Sequence, residues 1–225
     1  EVRSKWVIVA DGVRSAFGKQ LGRAWHQDEV YGIAARSYAT STHAAEPWMH
    51  SHVELKSETG EVQPGYGWIF PLGAEIGEVN IGLGALSTAQ RPARINTKKL
   101  LSHYAQQQRA DWGLGEITRV ASALLPMGGA VSNVAGANWM LIGDAAACVN
   151  PLNGEGIDYG LETAKLAVEL LGTKDFTLAW PNLLQAQYGE AFVLARTAAR
   201  LLTYPQFLPF AGPVALRGPV GRMLM

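Results

Sequence analysis

The stretch Asn138–Ile157, NWMLIGDAAACVNPLNGEGI, constrains the chain more than any other. Its apolar opening reads as a buried strand that ends on Gly143-Asp144, and the loop Cys148–Asn153 then feeds a helix starting near Gly154. A helix start of this kind offers unpaired backbone N–H groups and the positive end of its dipole, and Gly154 and Gly156 carry no side chain to hold a ligand away. The segment therefore predicts a negatively charged group at the helix start. Asp144 departs from that logic, because a carboxylate repels phosphate but accepts hydrogen bonds from sugar or other polyol hydroxyls. Taken alone, Gly143-Asp144 reads equally well as a strand-ending turn, and the glycines as loop flexibility.

The rest of the chain supplies a context of strands grouped in the middle with helices after them. Trp6–Ala10 is short, β-branched and closed by Asp11-Gly12, a buried strand running into a turn. Tyr31, Ile33 and Ala35 alternate with polar or small residues up to Ser41, and Val53 alternates with Leu55, so both segments are expected to be half-buried strands. YGWIF and EVNIGLGAL flank the connector LGAEIG as an antiparallel hairpin. Gly82 and Gly84 weaken the second of these strands. They mark either a bulge or a close approach of another backbone or a ligand. Residues 97–110 have helical composition, with Leu100, Leu101 and Tyr104 on one side, and residues 115–122 return to strand character. Ile157, Leu161, Ala164, Val168 and Leu171 fall at helical spacing before Gly172. Leu184, Tyr188, Phe192, Ala195, Ala199 and Leu202 repeat that spacing before Pro205. Each set predicts the buried face of an amphipathic helix, and the whole reads as α+β.

Composition excludes several classes. A 225-residue chain that is 48% hydrophobic and 17% charged has the apolar content for a core. Zero net charge and a pI near 7.2 give no electrostatic reason to expect nucleic acid. Cys148 is the single cysteine, which excludes an internal disulfide and a cysteine zinc cluster and suits a reducing cytoplasm. His26, His43, His50, His52 and His103 show no ligand spacing, His50 and His52 are expected to face solvent at a strand edge, and no metal is predicted. No apolar run reaches the roughly 18 residues of a membrane-spanning helix. The first residues lie inside a strand pattern, so a fragment of a longer protein is expected. After Glu190 there is no acidic residue, while Arg196, Arg200, Arg217 and Arg222 remain among apolar residues. That segment suits either an anionic membrane surface or packing on another part of the protein.

Three motifs in this order carry a resemblance. Asp11-Gly12 after a strand and Gly143-Asp144-Ala-Ala before Pro-x-Asn-Gly-x-Gly-Ile resemble two fingerprints of the flavoprotein family that contains aromatic hydroxylases and geranylgeranyl reductases. Tyr66-Gly-Trp68-Ile-Phe70-Pro71 resembles the YxWxFP signature of the geranylgeranyl reductases. PGYGWIFPLG and NPLNGEGIDYG resemble actinobacterial members that reduce the menaquinone tail. The likeness runs through nearly the whole chain, although Ala147 stands where the family pattern usually has glycine. No Gly-x-Gly-x-x-Gly follows a first strand either, so the ADP half of a dinucleotide has no place within these residues.

The resemblance implies an α+β fold, the C-terminal part of a two-domain FAD-binding (Rossmann-like) flavoprotein with an antiparallel substrate sheet and C-terminal helices. Residues 1–19 and 126–175 would belong to the FAD-binding domain, 20–125 to the β-rich substrate domain and 176–225 to a helical region. Asp11, Gly12, Gly143, Asp144, Pro151, Gly154, Gly156 and Ile157 would contact FAD, with Asp144 on the ribityl chain. Tyr66 and Trp68 would line the substrate tunnel, with Tyr66 a candidate proton donor and Cys148 a weaker one. The implied reaction is reduction of a carbon–carbon double bond in a polyisoprenoid lipid, with NAD(P)H or another carrier as electron donor. The implied location is cytoplasmic or peripheral on the inner face of the cell membrane. A flavin monooxygenase or halogenase of the same superfamily, and a non-catalytic lipid-binding remnant, stand as alternatives.

Overall fold

The computed structural model describes residues 3–63, 65–172, 175–204 and 207. In chain order the elements are β1 (Val7–Val9), α1 (Ala16–Gln20), β2 (Ala24–Trp25), β3 (Tyr31–Thr40), β4 (His50–His52), β5 (Leu55–Lys56), β6 (Val62–Gln63), β7 (Tyr66–Pro71) and β8 (Glu78–Ser87). They continue with α2 (Thr97–Trp112), β9 (Thr118–Pro126), β10 (Val131–Ser132), β11 (Ala135–Gly136), β12 (Trp139–Leu141), a single 3-10 turn (Gly143–Ala146), α3 (Ile157–Leu170) and α4 (Ala179–Leu202). The fold is α+β, as expected. It divides into two compact units, one of Glu1–Tyr31, Thr88–Arg91 and Leu125–Met225, the other of Gly32–Ser87 and Pro92–Leu124.

In the first unit β1 pairs parallel with β12, and β11 adds antiparallel on the other side of β12. The register Val9↔Leu141 sends both chains out of the same end of the sheet, so Asp11 and Gly143 each follow two residues beyond a paired position. Below the sheet, Met140, Ile142, Ala167, Phe176 and Trp180 form one apolar cluster, and the Trp180 indole donates to the Leu141 carbonyl (2.8 Å). Burial of side chains of this size stabilises by about 1.5–3 kcal/mol each.

The expected buried face of α3 is corrected here. Ile157, Leu161 and Val168 are 77%, 70% and 59% exposed, and the buried residues are Thr163 and Ala167. Small side chains win the inner face because the helix runs against the 3-10 turn at backbone distance, where a leucine has no room. The expected face of α4 does pack inward, with Tyr188, Phe192 and Ala199 buried. Arg196 and Arg200 are not free charges, since both converge on Glu29 (3.9 and 2.5 Å). Pro205, Arg217 and Arg222 lie outside the described residues.

The second unit is a five-stranded sheet in the order β4-β7-β8-β3-β9, with β4–β7 and β7–β8 antiparallel. Helix α2 covers one face. Asn96 caps it by accepting from the Lys99 amide (3.1 Å), and Gly113 ends it at φ +54°. Leu100, Leu101, Tyr104 and Ala105 of α2 share a core with Ile69, Ile81 and Leu83 of the sheet. Since side chains alternate along a strand, Gly67 and Ile69 face α2 and Tyr66, Trp68 and Phe70 take the opposite face.

Two expectations in this unit are corrected. Val53 is 84% exposed because the ladder breaks between β4 and β5, leaving only Leu55 of the pair buried. His50 and His52 are half-buried rather than turned out to solvent. The His50 ring stands edge-on to Trp112 (4.7 Å), and His52 Nδ1 is 2.5 Å from the Tyr104 hydroxyl. Both imidazoles close the edge of the α2 core, and burial together with His50 lowers the His52 pKa.

Candidate functional site

The Gly143–Ala146 turn is fixed from two sides. A Cβ on Gly143 would lie 3.3 Å from the Gly160 Cα, so turn and helix meet through two glycines. The Gly143 amide donates to Thr163 Oγ1 (2.9 Å), whose hydroxyl donates in turn to the Tyr159 carbonyl (2.6 Å). From the residue just before β2, Arg23 Nε donates to the Ala145 carbonyl (2.6 Å). That guanidinium is only 7% exposed, and burial lowers its pKa while Asp11 acts in the opposite direction. Asp11 itself is committed to the chain, since its Oδ2 accepts from the Phe17 amide (2.8 Å) at the start of α1. Gly12 follows at φ +75°, a left-handed position natural to glycine. Thr163 and Arg23 were not legible as site residues, because each acts through a partner 20 or 122 positions away.

Ala147 closes the turn at φ +55° and is fully buried. Its left-handed backbone is the physical reason for a glycine preference here, and the methyl is a source of strain rather than of crowding.

Asp144 is half-buried, and its side chain accepts no hydrogen bond from any described residue. Burial raises its pKa, so the ionised carboxylate is held at a cost until hydrogen-bond donors reach it. Gly156 is required by this carboxylate. A Cβ at 156 would lie 3.0 Å from Asp144 Oδ1 and 3.2 Å from Val149 Cγ2. Gly154, at φ +74°, faces open space. Pro151 is buried and packs where a Cβ on Gly128 would stand 2.6 Å from its ring.

The expectation of free amides at the start of α3 needs correction. Ile157 N and Asp158 N both donate to Glu155 Oε1 (2.8 and 3.2 Å), so the chain supplies its own anion to the helix start. The signal was present in the sequence as an acidic residue two positions before the helical run. Cys148 is buried, and burial with the nearby Asp144 charge pushes its thiol up to about 12, so it stays protonated and poorly suited to give up a proton.

In the second unit Tyr66, Trp68 and Phe70 make a ladder of rings along β7, with centroids 5.9 and 6.0 Å apart. The Trp68 indole lies across β8. Its Nε1 donates to Asn80 Oδ1 (2.9 Å), and a Cβ on Gly82 would overlap its Cζ2 and Cε2. The close approach expected at Gly82 is thus made by an indole rather than by backbone or ligand. Gly67 serves the other face in the same way, where a Cβ would lie 2.5 Å from Tyr104 Cζ. Asn80, which holds Trp68, stands opposite Phe70 in the hairpin register.

A half-buried carboxylate set beside two glycines at a strand–turn–helix junction can accept hydrogen bonds from hydroxyl groups brought to it. The sequence profile of the FAD binding domain family matches residues 1–176, and the chain belongs to that family. Within it, the chain is similar to the menaquinone reductases of Mycobacterium tuberculosis and Mycolicibacterium smegmatis, at 59% and 61% identity. These alignments cover 96% and 94% of this chain and 53% and 52% of the relatives, so the chain spans about half their length. It is also 25% identical to digeranylgeranylglycerophospholipid reductase 1 of Methanopyrus kandleri, over 90% of this chain and 54% of that protein. Among solved structures, a geranylgeranyl bacteriochlorophyll reductase-like protein from Thermoplasma acidophilum superposes with a TM-score of 0.66 at 22% identity, covering 90% of this chain and 51% of its own. A flavin-dependent brominase superposes at 0.59 and 15%, covering 99% and 56%. Both share the fold. The expected kinship with geranylgeranyl reductase-type flavoproteins is borne out by the named relatives.

Proposed function

We propose that this chain is the flavin- and substrate-contacting part of an FAD-dependent reductase that saturates a carbon–carbon double bond in the polyisoprenoid side chain of a menaquinone-type lipid. The observation that carries the reading is the coincidence, in one chain, of the Asp144 turn with the Tyr66–Trp68–Phe70 ladder, at about 60% identity to proteins named menaquinone reductases. The halogenase or monooxygenase alternative rests on a shared fold alone.

FAD, when bound and reduced, supplies the hydride. Asp144 accepts hydrogen bonds from the ribityl hydroxyls, which offsets the cost of its burial. Gly143, Gly154 and Gly156 keep the approach to that carboxylate open, and Pro151 braces the loop. Asp11 and Gly12 shape the neighbouring strand end. Ile157 and Asp158, whose amides are held here by Glu155, would help to hold the flavin at the start of α3, where the helix favours a negatively charged group. The Tyr66, Trp68 and Phe70 rings hold a long apolar chain and exclude water along it. The second alkene carbon receives its proton from the Tyr66 hydroxyl or a water that it orients. NAD(P)H or another carrier restores the electrons. Among the described residues no helix is long and apolar enough to cross a membrane.

The test is incubation of the full-length protein with FAD, a reductant and an unsaturated menaquinone. The product is expected to gain two hydrogens in its side chain, and Trp68→Ala to slow that gain at least tenfold. A product carrying added oxygen or halogen would overturn the reading.

A further inference from the structure

Asp144 sits between two residues whose backbone is tied to distant parts of the chain. On one side the Gly143 amide is held by Thr163 of α3, and on the other the Ala145 carbonyl is held by Arg23, 122 positions earlier. Ala145 is fully buried, so its carbonyl has no water to turn to if Arg23 withdraws.

The root of Arg23 is fixed as firmly as its tip. Its amide donates to the Gly18 carbonyl (2.8 Å), and the two residues after it, Ala24 and Trp25, form β2 and pair with Ser132 and Val131 of β10. Asn133 Nδ2 donates to the carbonyl of the residue before it, Gly22 (2.7 Å). Gly18 clears the path of the side chain. A Cβ there would run into Ser15 Oγ and lie 3.2 Å from Arg23 Cδ, while the Gly18 backbone has no positive φ to require glycine. Glycine at 18 is kept for space.

A guanidinium is more than one carbonyl needs. Arg23 is 7% exposed, burial lowers its pKa, and its Nη2 has no hydrogen-bond partner among the described residues. The carboxylate that offsets this burial is Asp11, itself exposed and bonded to the Phe17 amide. A charge buried on these terms adds little to stability, and apolar replacements of such groups are often neutral or stabilising. What the guanidinium does supply is a planar, rigid donor at a fixed angle, which keeps the Ala145 carbonyl from swinging. Burial alone accounts for the raised pKa of Asp144, so Arg23 acts on that carboxylate through the backbone and not through its field.

The geometry points to Arg23 as a positioning residue of the flavin site. It fixes the Asp144 turn, and with it the direction from which the carboxylate meets the ribityl hydroxyls. The proposal rests on the reading that Asp144 holds FAD.

The test is a double-mutant cycle on the full-length, flavin-free protein, with FAD affinity read by spectral titration and Tm by circular dichroism. Arg23→Met keeps much of the stem and removes the donor. It is expected to weaken FAD binding roughly tenfold while its Tm stays within about 3 °C of the parent's, a split that a merely structural residue does not give. Because Arg23 works through Asp144, the variant carrying both Arg23→Met and Asp144→Asn is expected to bind FAD within about twofold of Asp144→Asn alone. If Arg23→Met does not fold, Arg23→Lys takes its place in the cycle. It keeps the buried charge but not the planar Nε–H, and a loss of about three- to tenfold is expected. FAD affinity unchanged by the Arg23 substitution, or losses that multiply in the double variant, overturn the proposal and leave the reading of Asp144 standing. Asp144→Asn that binds FAD as tightly as the parent overturns both.

Discussion

Gly82 and Gly84 lie two residues apart on the same face of β8, and the structure predicts opposite outcomes for the same substitution at each. A Cβ on Gly82 would overlap the Trp68 indole, while a Cβ on Gly84 would stand 3.7 Å from Trp68 Cζ3, an ordinary contact. Neither glycine has positive φ, so alanine fits the backbone at both. At Gly82 the indole must leave. Overpacking of this kind costs about 1–3 kcal/mol, and loss of the Trp68–Asn80 hydrogen bond about 0.5–1.5 kcal/mol more. Replacing a strand glycine returns about 0.5–1 kcal/mol, which leaves Gly82→Ala destabilised by about 0.5–4 kcal/mol. Gly84→Ala keeps only the favourable part and should be more stable by about 0.5 kcal/mol. Urea unfolding measures both, and near-UV circular dichroism should lose the ordered-indole signal only in Gly82→Ala. Equal stability of the two variants would refute the account of why Trp68 lies flat on β8. Since the indole is a rung of the proposed isoprenoid wall, Gly82→Ala should also lower reductase activity more than Gly84→Ala does.

Other predictions concern the first unit. Asp144 has a folded pKa above its unfolded value, so its contribution to stability is fully present below about pH 3.8 and is lost as pH rises through the raised value. Asp144→Asn should therefore raise the Tm of the flavin-free protein at pH 7, and the gain should fade in acid. The same variant should bind FAD roughly 10- to 150-fold more weakly, the loss of a hydrogen bond to a charged acceptor; equal FAD affinity would remove Asp144 from the site. Glu155→Ala gives up the cap on Ile157 and Asp158, which should cost about 0.5–2 kcal/mol in thermal unfolding and, by removing the competing anion, tighten FAD binding in a spectral titration. Ala147→Gly relieves about 1 kcal/mol of left-handed strain but loses a buried methyl and gains unfolded-state entropy, each of similar size. Its Tm should stay within about 3 °C of the parent, whereas Ala147→Val should fall well below it.

Local sequence carried much of this fold. The hairpin of β7 and β8, the capped run of α2 and the inward face of α4 follow from periodicity and turn residues, because in each the large apolar side chains are the ones that pack. The same rule misled for α3. There Gly160, Thr163 and Ala167 make the contact, so the large residues that draw the eye in the sequence are those left outside. Short strands such as β2, β10 and β11 were not legible, since pairs of two residues draw on partners far along the chain and carry no period of their own. Asp144 and the Tyr66–Phe70 ladder could be read from motifs. Thr163, Arg23 and Asn80 could not, because each depends on what the fold brings against it.

The central claim, that electrons pass from flavin to an isoprenoid double bond, is tested most directly by an anaerobic single turnover. The full-length protein is loaded with FAD, reduced, and mixed with an unsaturated menaquinone without oxygen. The account predicts that the flavin spectrum returns to the oxidised form at a rate set by lipid concentration, with one side-chain double bond reduced per flavin. A flavin that stays reduced until oxygen is admitted would contradict it.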